Sequence, residues 1–203
     1  MPEPIIFYAE FVSPNTYLAI RDLTRVAEKH GREIEWRAFA LMRVWDAIDY
    51  HPLGKPREKA RYILRDFQRS AVIEGQPLAM PGKFPLDAEA ARLGFWRLAA
   101  RDRKSANAFA SEVFNAYWGR GETITEPAVL KACAEAAGVD PAEIAAAAED
   151  AEARKAMDQA TRQAVADGVF GSPHMIVEGE PFWGHDRVEH IDWWLTHGVR
   201  APG

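Results

Sequence analysis

Hydrophobic periodicity changes twice along this chain, and the order of those changes limits the folds open to it. Residues 4–11, Pro-Ile-Ile-Phe-Tyr-Ala-Glu-Phe, are rich in β-branched and aromatic types and stop at Ser13-Pro14-Asn15, which predicts a buried strand. From Pro14, the apolar residues Tyr17, Leu18, Leu23, Val26 and Ala27 recur at helical spacing up to Gly31, a suitable C-terminal cap. Residues 32–39 then alternate, placing Ile34 and Trp36 on one face. A βαβ opening favours two parallel strands joined by a right-handed crossover. Residues 40–57, with Pro52, Gly54 and Pro56, read as a connector, and the chain is helical from there to residue 167. The spacing predicts helices over 58–75, 87–102, 105–118, 126–137, 141–149 and 150–167, with Asp87, Ser105, Thr125 and Asp140 as caps and Pro141 in a first turn. Period two returns at 174–178, Gly179-Glu180 forms a turn, and Pro181-Phe182-Trp183 makes a second strand weakened by its proline. Residues 186–197 close the chain as a helix with Val188, Ile191, Trp194 and Leu195 on one side.

The order βαβ, helical block, ββα is a thioredoxin-like α/β arrangement carrying a large all-helical insertion. Residues 1–40 and 168–203 would form the thioredoxin-like domain, and 41–167 the insertion with its linking helix. At 203 residues, with 48 % hydrophobic and 27 % charged side chains, the chain is long enough for a sizeable core. A net charge of −5 gives no global attraction to phosphate backbones or anionic lipid, so neither nucleic acid nor a membrane is the expected partner. The single cysteine, Cys133, can form neither an internal disulfide nor a redox pair, which fits a reducing compartment. The opening residues Met1-Pro2-Glu3-Pro4 lack a basic segment followed by an apolar run, and no stretch of about 18 apolar residues occurs, so a cytoplasmic location is expected.

Chemistry would concentrate where the first strand meets the first helix. In a thioredoxin-type fold a Cys-x-x-Cys pair lies there, at a helix N-terminus that favours an anion or thiolate; this chain has Ser13-Pro14-Asn15-Thr16 instead. A hydroxyl cannot serve as the redox sulfur, which excludes disulfide exchange by the protein itself. It can still donate a hydrogen bond to a ligand's thiolate. Serine followed by proline is equally an ordinary helix cap and first turn. Gly171-Ser172-Pro173 precedes the third strand; if Pro173 is cis, its neighbouring backbone turns toward the first helix, and otherwise it is a plain turn proline. Trp183-Gly184-His185-Asp186-Arg187 starts the last helix, with Asp186 as either a carboxylate-site neighbour or a cap. The six histidines show no His-Glu-x-x-His arrangement, so no metal site is expected. Arg61, Arg65 and Arg69 read as a solvated helical stripe.

Three blocks in register carry a family resemblance. Phe7-Tyr8-Ala9-Glu10-Phe11-Val12-Ser13-Pro14-Asn15-Thr16-Tyr17-Leu18-Ala19, Phe114-Asn115-Ala116-Tyr117-Trp118-Gly119, and Gly168-Val169-Phe170-Gly171-Ser172-Pro173 followed by Phe182-Trp183-Gly184-His185-Asp186-Arg187 resemble the 2-hydroxychromene-2-carboxylate isomerases. That family groups with the kappa-class glutathione transferases in the DsbA-like branch of the thioredoxin fold. The resemblance implies a glutathione cofactor and a small aromatic substrate. It also implies Ser13 facing the glutathione sulfur and Ser172 and Pro173 pairing with the cysteinyl unit like an added strand. His185 and Asp186 would hold the γ-glutamyl end, and Lys59, three residues before Tyr62, the glycine carboxylate. Asn15 and Trp45 fall where substrate-contacting residues lie: Asn15 replaces an aromatic residue, and Trp45 a lysine of the naphthalene-pathway enzymes. Glu10-Phe11 stands where relatives commonly have Asp-Phe, and an asparagine of the connector is replaced around Asp49-Tyr50-His51. Dimeric relatives imply a homodimer. The function implied is a glutathione-dependent isomerase of an aromatic-degradation intermediate; the alternatives are a kappa-class-like transferase or peroxidase, and a non-catalytic thioredoxin-like binding module.

Overall fold

A computed structural model describes residues 2–50 and 57–198. The chain runs β1 (Ile5–Ala9), α1 (Pro14–Lys29), β2 (Ile34–Ala38), α2 (Leu41–Ala47), α3 (Arg57–Glu74), α4 (Glu89–Ala99), α5 (Arg103–Phe114), a π-helical turn (Asn115–Gly119), α6 (Pro127–Ala136), α7 (Pro141–Ala146), α8 (Ala151–Ala166), β3 (His174–Val177), β4 (Glu180–Trp183), a 3-10 turn (His185–Arg187) and α9 (Val188–His197). The sheet order is β2-β1-β3-β4. β1 and β2 are parallel and in register from Ile5 opposite Ile34 to Ala9 opposite Ala38, while β3 and β4 are antiparallel neighbours. This is the expected thioredoxin-like order with a helical insertion between β2 and β3.

Alternation along β1 decides which helices cover which face. Phe7 and Ala9 pack with Leu23 and Val26 of α1 and Val188 and Ile191 of α9, whereas Ile6 and Tyr8 face Leu41 and Val44 of α2 and Ala164 of α8. Each large apolar side chain fully buried in this way contributes about 1.5–3 kcal/mol. Pro181 sits in β4 opposite Ile176, and β4 is an edge strand, where a missing N–H is tolerated.

Several local expectations shift. α2 occupies part of the expected connector; residues 51–56, with His51, Pro52, Gly54 and Pro56, lie outside the described residues. The cap of α5 is Asp102, which accepts from Lys104 N and Ser105 N, and not Ser105, because a carboxylate two residues before reaches both free donors. α6 starts after Glu126 with no side-chain cap, so Thr125 does not cap it, whereas Asp140 caps α7 as expected. The β3–β4 turn is Glu178-Gly179, both with positive φ, one residue earlier than the sequence suggests. Arg61, Arg65 and Arg69 are all exposed, as a solvated stripe requires. Among the described residues no helix is long and apolar enough to cross a membrane.

Candidate active site

The C-terminal end of β1 turns into α1 through Glu10–Ser13, with Ser13 N–H donating to Glu10 O at 3.0 Å. Ser13 has extended backbone and caps α1: its Oγ accepts from Thr16 N at 3.2 Å, and its carbonyl accepts from Tyr17 N. Pro14 has no N–H, so of the first-turn donors Asn15 N–H is left without an acceptor among the described residues. The Ser13 hydroxyl proton goes to Ser172 O at 2.7 Å, across from the other end of the chain. Ser13 is buried, at 9 % exposure. The serine is thus both a helix cap and a bridge to the proline loop.

The Ser172–Pro173 peptide is cis. Ser172 Oγ accepts from Glu10 N at 2.9 Å and donates to Tyr8 O at 3.2 Å, so the Thr16 hydroxyl, 2.7 Å away, is the donor of that third contact. A hydroxyl has one proton and two lone pairs, and all three are used. The side chain of Ser172 is therefore a clasp joining β1, α1 and the proline loop. Its backbone is different: among the described residues no group accepts from Ser172 N–H, and its carbonyl keeps one lone pair beyond the Ser13 bond.

The 184–187 turn completes the third side. Gly184 has φ +108°, so its conformation calls for glycine; the Cβ of another residue would meet only the movable carboxylate of exposed Asp186. Its N–H donates to Pro173 O at 3.2 Å, tying this turn to the cis-proline loop. Asn15 Oδ1 accepts from His185 N at 2.8 Å and from the His185 ring at Nδ1, 2.6 Å away. His185 Nε2 lies 3.4 Å from Glu74 Oε1 at the end of α3. Burial lowers the imidazole's pKa, while the same burial raises that of Glu74. Asp186 is exposed and paired with Arg187 at 3.1 Å.

Beside the proline loop stands an aromatic wall. Trp45 Nε1 donates to Phe170 O at 2.8 Å, and the half-exposed rings of Phe170 and Trp183 lie 5.0 Å apart. Trp183 covers Gly171 so closely that a Cβ there would collide with its Nε1. Two further concavities, of about 320 Å³ by Tyr17 and Pro77 and about 530 Å³ between β2 and α8, lie apart from these residues. The chain's own thiol is not part of the site: Cys133 is buried in the insertion, and burial pushes its pKa up to about 11.

The family model for the DSBA-like thioredoxin domain matches residues 4–193. The chain belongs to this family. A 2-hydroxychromene-2-carboxylate isomerase of Sphingobium xenophagum is 31 % identical over 204 residues, covering 96 % of this chain and 99 % of the relative. One of the same name from Pseudomonas putida is 32 % identical over 184 residues, 90 % of this chain and 89 % of the relative. The solved structure of a 2-hydroxychromene-2-carboxylate isomerase superposes with a TM-score of 0.80 at 29 % identity, covering 95 % and 94 % of the two chains.

In this DSBA-like chain the expected residues Ser13, Asn15, Ser172, Pro173 and His185 meet at one end of the sheet, with Asp186 beside them. Trp45 borders the group through Phe170. Asn15, expected to contact substrate, has its Oδ1 on His185. Lys59 is exposed near the start of α3, fifteen residues before Glu74. Sequence reasoning missed the residues that hold the turn from behind. Glu10 is buried, taking Arg92 Nη1 at 3.0 and 3.1 Å and Leu41 N at 3.1 Å, while Trp118 Nε1 donates to Phe11 O at 2.9 Å. A lone carboxylate inside an apolar strand was the signal, since such a group is buried only with a partner.

Proposed function

We propose that this protein is a glutathione-dependent isomerase of an aromatic-degradation intermediate of the 2-hydroxychromene-2-carboxylate type. The observation that carries the proposal is the Ser13–Ser172 bridge: a hydroxyl at the start of α1, hydrogen-bonded to the residue before a cis-proline, in a chain whose only cysteine is buried elsewhere. The names of its 31 % and 32 % identical relatives supply the reaction class.

The residues present fit a bound tripeptide. Ser172 offers a free N–H and a carbonyl lone pair, the two groups needed to add one extended strand residue. When bound, glutathione supplies a thiol that adds reversibly to a conjugated substrate and is released unchanged. Ser13 can turn its proton from Ser172 O toward a neighbouring sulfur, and the unpaired Asn15 N–H gives a second donor at the same helix end. Phe170 and Trp183, tilted 60° to each other, with Trp45 beside them, offer aromatic surface against which a substrate ring would pack.

Calorimetric titration with glutathione is expected to show saturable binding, and the free thiol count is expected to stay constant while the chromene substrate turns over. Consumption of thiol would replace isomerisation with a transferase or peroxidase activity; no binding would remove the proposal. The wall has its own test. In Gly171→Ala the new methyl must displace Trp183, so KM for the aromatic substrate is expected to rise about tenfold, the effect of losing a contact worth about 1.4 kcal/mol, with glutathione affinity unchanged. An unchanged KM would show that the ring binds elsewhere.

A further inference from the structure

We propose that Glu74 and His185 share a single proton, and that this pair sets the charge of the turn to which the γ-glutamyl end of glutathione binds. The ligand half rests on the glutathione reading above; the shared proton does not.

The argument begins at Asn15. Its Oδ1 takes the backbone N–H of His185, which identifies that atom as the amide oxygen, an acceptor only. The ring atom 2.6 Å from the same oxygen must then carry a proton, so His185 is an Nδ1–H tautomer or an imidazolium. Its other nitrogen, Nε2, faces Glu74 Oε1 at 3.4 Å, with side-chain exposures of 13 % and 21 %. If both groups were unprotonated, a lone pair would confront a carboxylate in a poorly solvated gap, which is repulsive. A proton on either partner turns that contact into an attraction. Glu74 Oε2 is fully buried and has no partner among the described residues, so the carboxylate has lost much of its hydration and gains most from such a proton.

The surroundings decide how the pair responds to pH. Facing His185 are Asp186 and Arg187 on its own turn, Asp66 on α3 and Asp22 on α1; facing Glu74 are Asp22 and Arg21 of α1. Arg21 also donates to the Glu74 carbonyl at 2.6 Å, so that cation is held at the backbone rather than on the carboxylate. With one proton the pair is neutral. Losing it leaves one negative charge beside the turn that would meet the α-carboxylate of a ligand whose net charge is negative. Affinity is therefore expected to fall as pH rises through the loss of that proton. Glu74 acts here as a positioning residue: it acts through His185, which Asn15 and the backbone hold in place.

Two measurements test this on the intact protein. Nitrogen-resolved NMR of the His185 ring, without ligand, is expected to show its titration midpoint lower by about one pH unit in Glu74→Gln than in the wild type, since a nearby carboxylate favours the charged imidazole. An identical midpoint in both would overturn the shared proton. Calorimetry with S-methylglutathione, whose capped sulfur cannot ionise, is then run between pH 5.5 and 8. The wild-type dissociation constant is expected to rise severalfold as pH passes the midpoint, and the rise in Glu74→Gln to come about one pH unit lower, at that variant's own His185 midpoint. A level wild-type profile would overturn the charge coupling. Absence of binding at every pH, with the NMR difference intact, would overturn the glutathione reading and the ligand half with it, while the shared proton stands.

Discussion

Replacing Arg92 with methionine is expected to destabilise the protein by about 3–5 kcal/mol, the range for removing one half of a buried ion pair. Glu10 and Arg92 have side-chain exposures of 1 % and 7 %, so the abandoned carboxylate would remain in a dry interior with only the N–H groups of Leu41 and the distant Val12 to stabilise it. Arg92 also donates to Asp87, but that side chain is 73 % exposed and hydrates without penalty when released. Adding Glu10→Gln to Arg92→Met is expected to recover most of the loss, because the orphaned charge disappears with its partner. Urea denaturation followed by circular dichroism reads both variants. A loss below about 1 kcal/mol for Arg92→Met would show that water reaches Glu10, contrary to the burial argument. The effect extends to the site: the same residue's backbone N–H holds Ser172 Oγ, and its carboxylate holds the first N–H of α2.

In Ser13→Ala, kcat/KM is expected to fall about 10- to 100-fold, since a hydrogen bond to a charged group contributes about 1.5–3 kcal/mol. Alanine also removes the α1 cap, at a cost of about 1 kcal/mol in stability, and leaves Ser172 O with one donor fewer. Ser13→Gly separates the two roles. Glycine at a cap costs only a few tenths of a kcal/mol, yet it cannot donate to sulfur and loses the same bond to Ser172 O, so its activity is expected to match that of the alanine variant while its stability lies above that variant's. If the glycine variant kept most of the activity, the hydroxyl would be a cap alone.

Particular residues show what was legible in advance. Ile5–Ala9, Pro14–Lys29 and Ile34–Ala38 follow from residue spacing because each buries one stripe or both faces against a single core. Helix α2 was not legible: Leu41–Ala47 is short and has no side-chain cap, and its first N–H is satisfied by Glu10 Oε2 from across the fold. A helix whose cap lies 31 positions away leaves no local trace. The hold of the Asn15 amide oxygen on His185, 170 positions distant, was not legible either. The role of Ser172 divides in the same way, its side chain given to a clasp and its backbone left open.

By itself the sequence determined the order of strands and helices, the replacement of sulfur by a hydroxyl at Ser13, and the lack of a second cysteine, since each of these depends on residue type and near neighbours. Tertiary structure alone decided that Glu10 pairs with Arg92, that Ser13 reaches Ser172, and that Glu74 comes to face His185. Contacts of that kind join residues 82, 159 and 111 positions apart, and they arise only when packing of the apolar faces has brought distant backbone together and left each buried polar group to find a partner there.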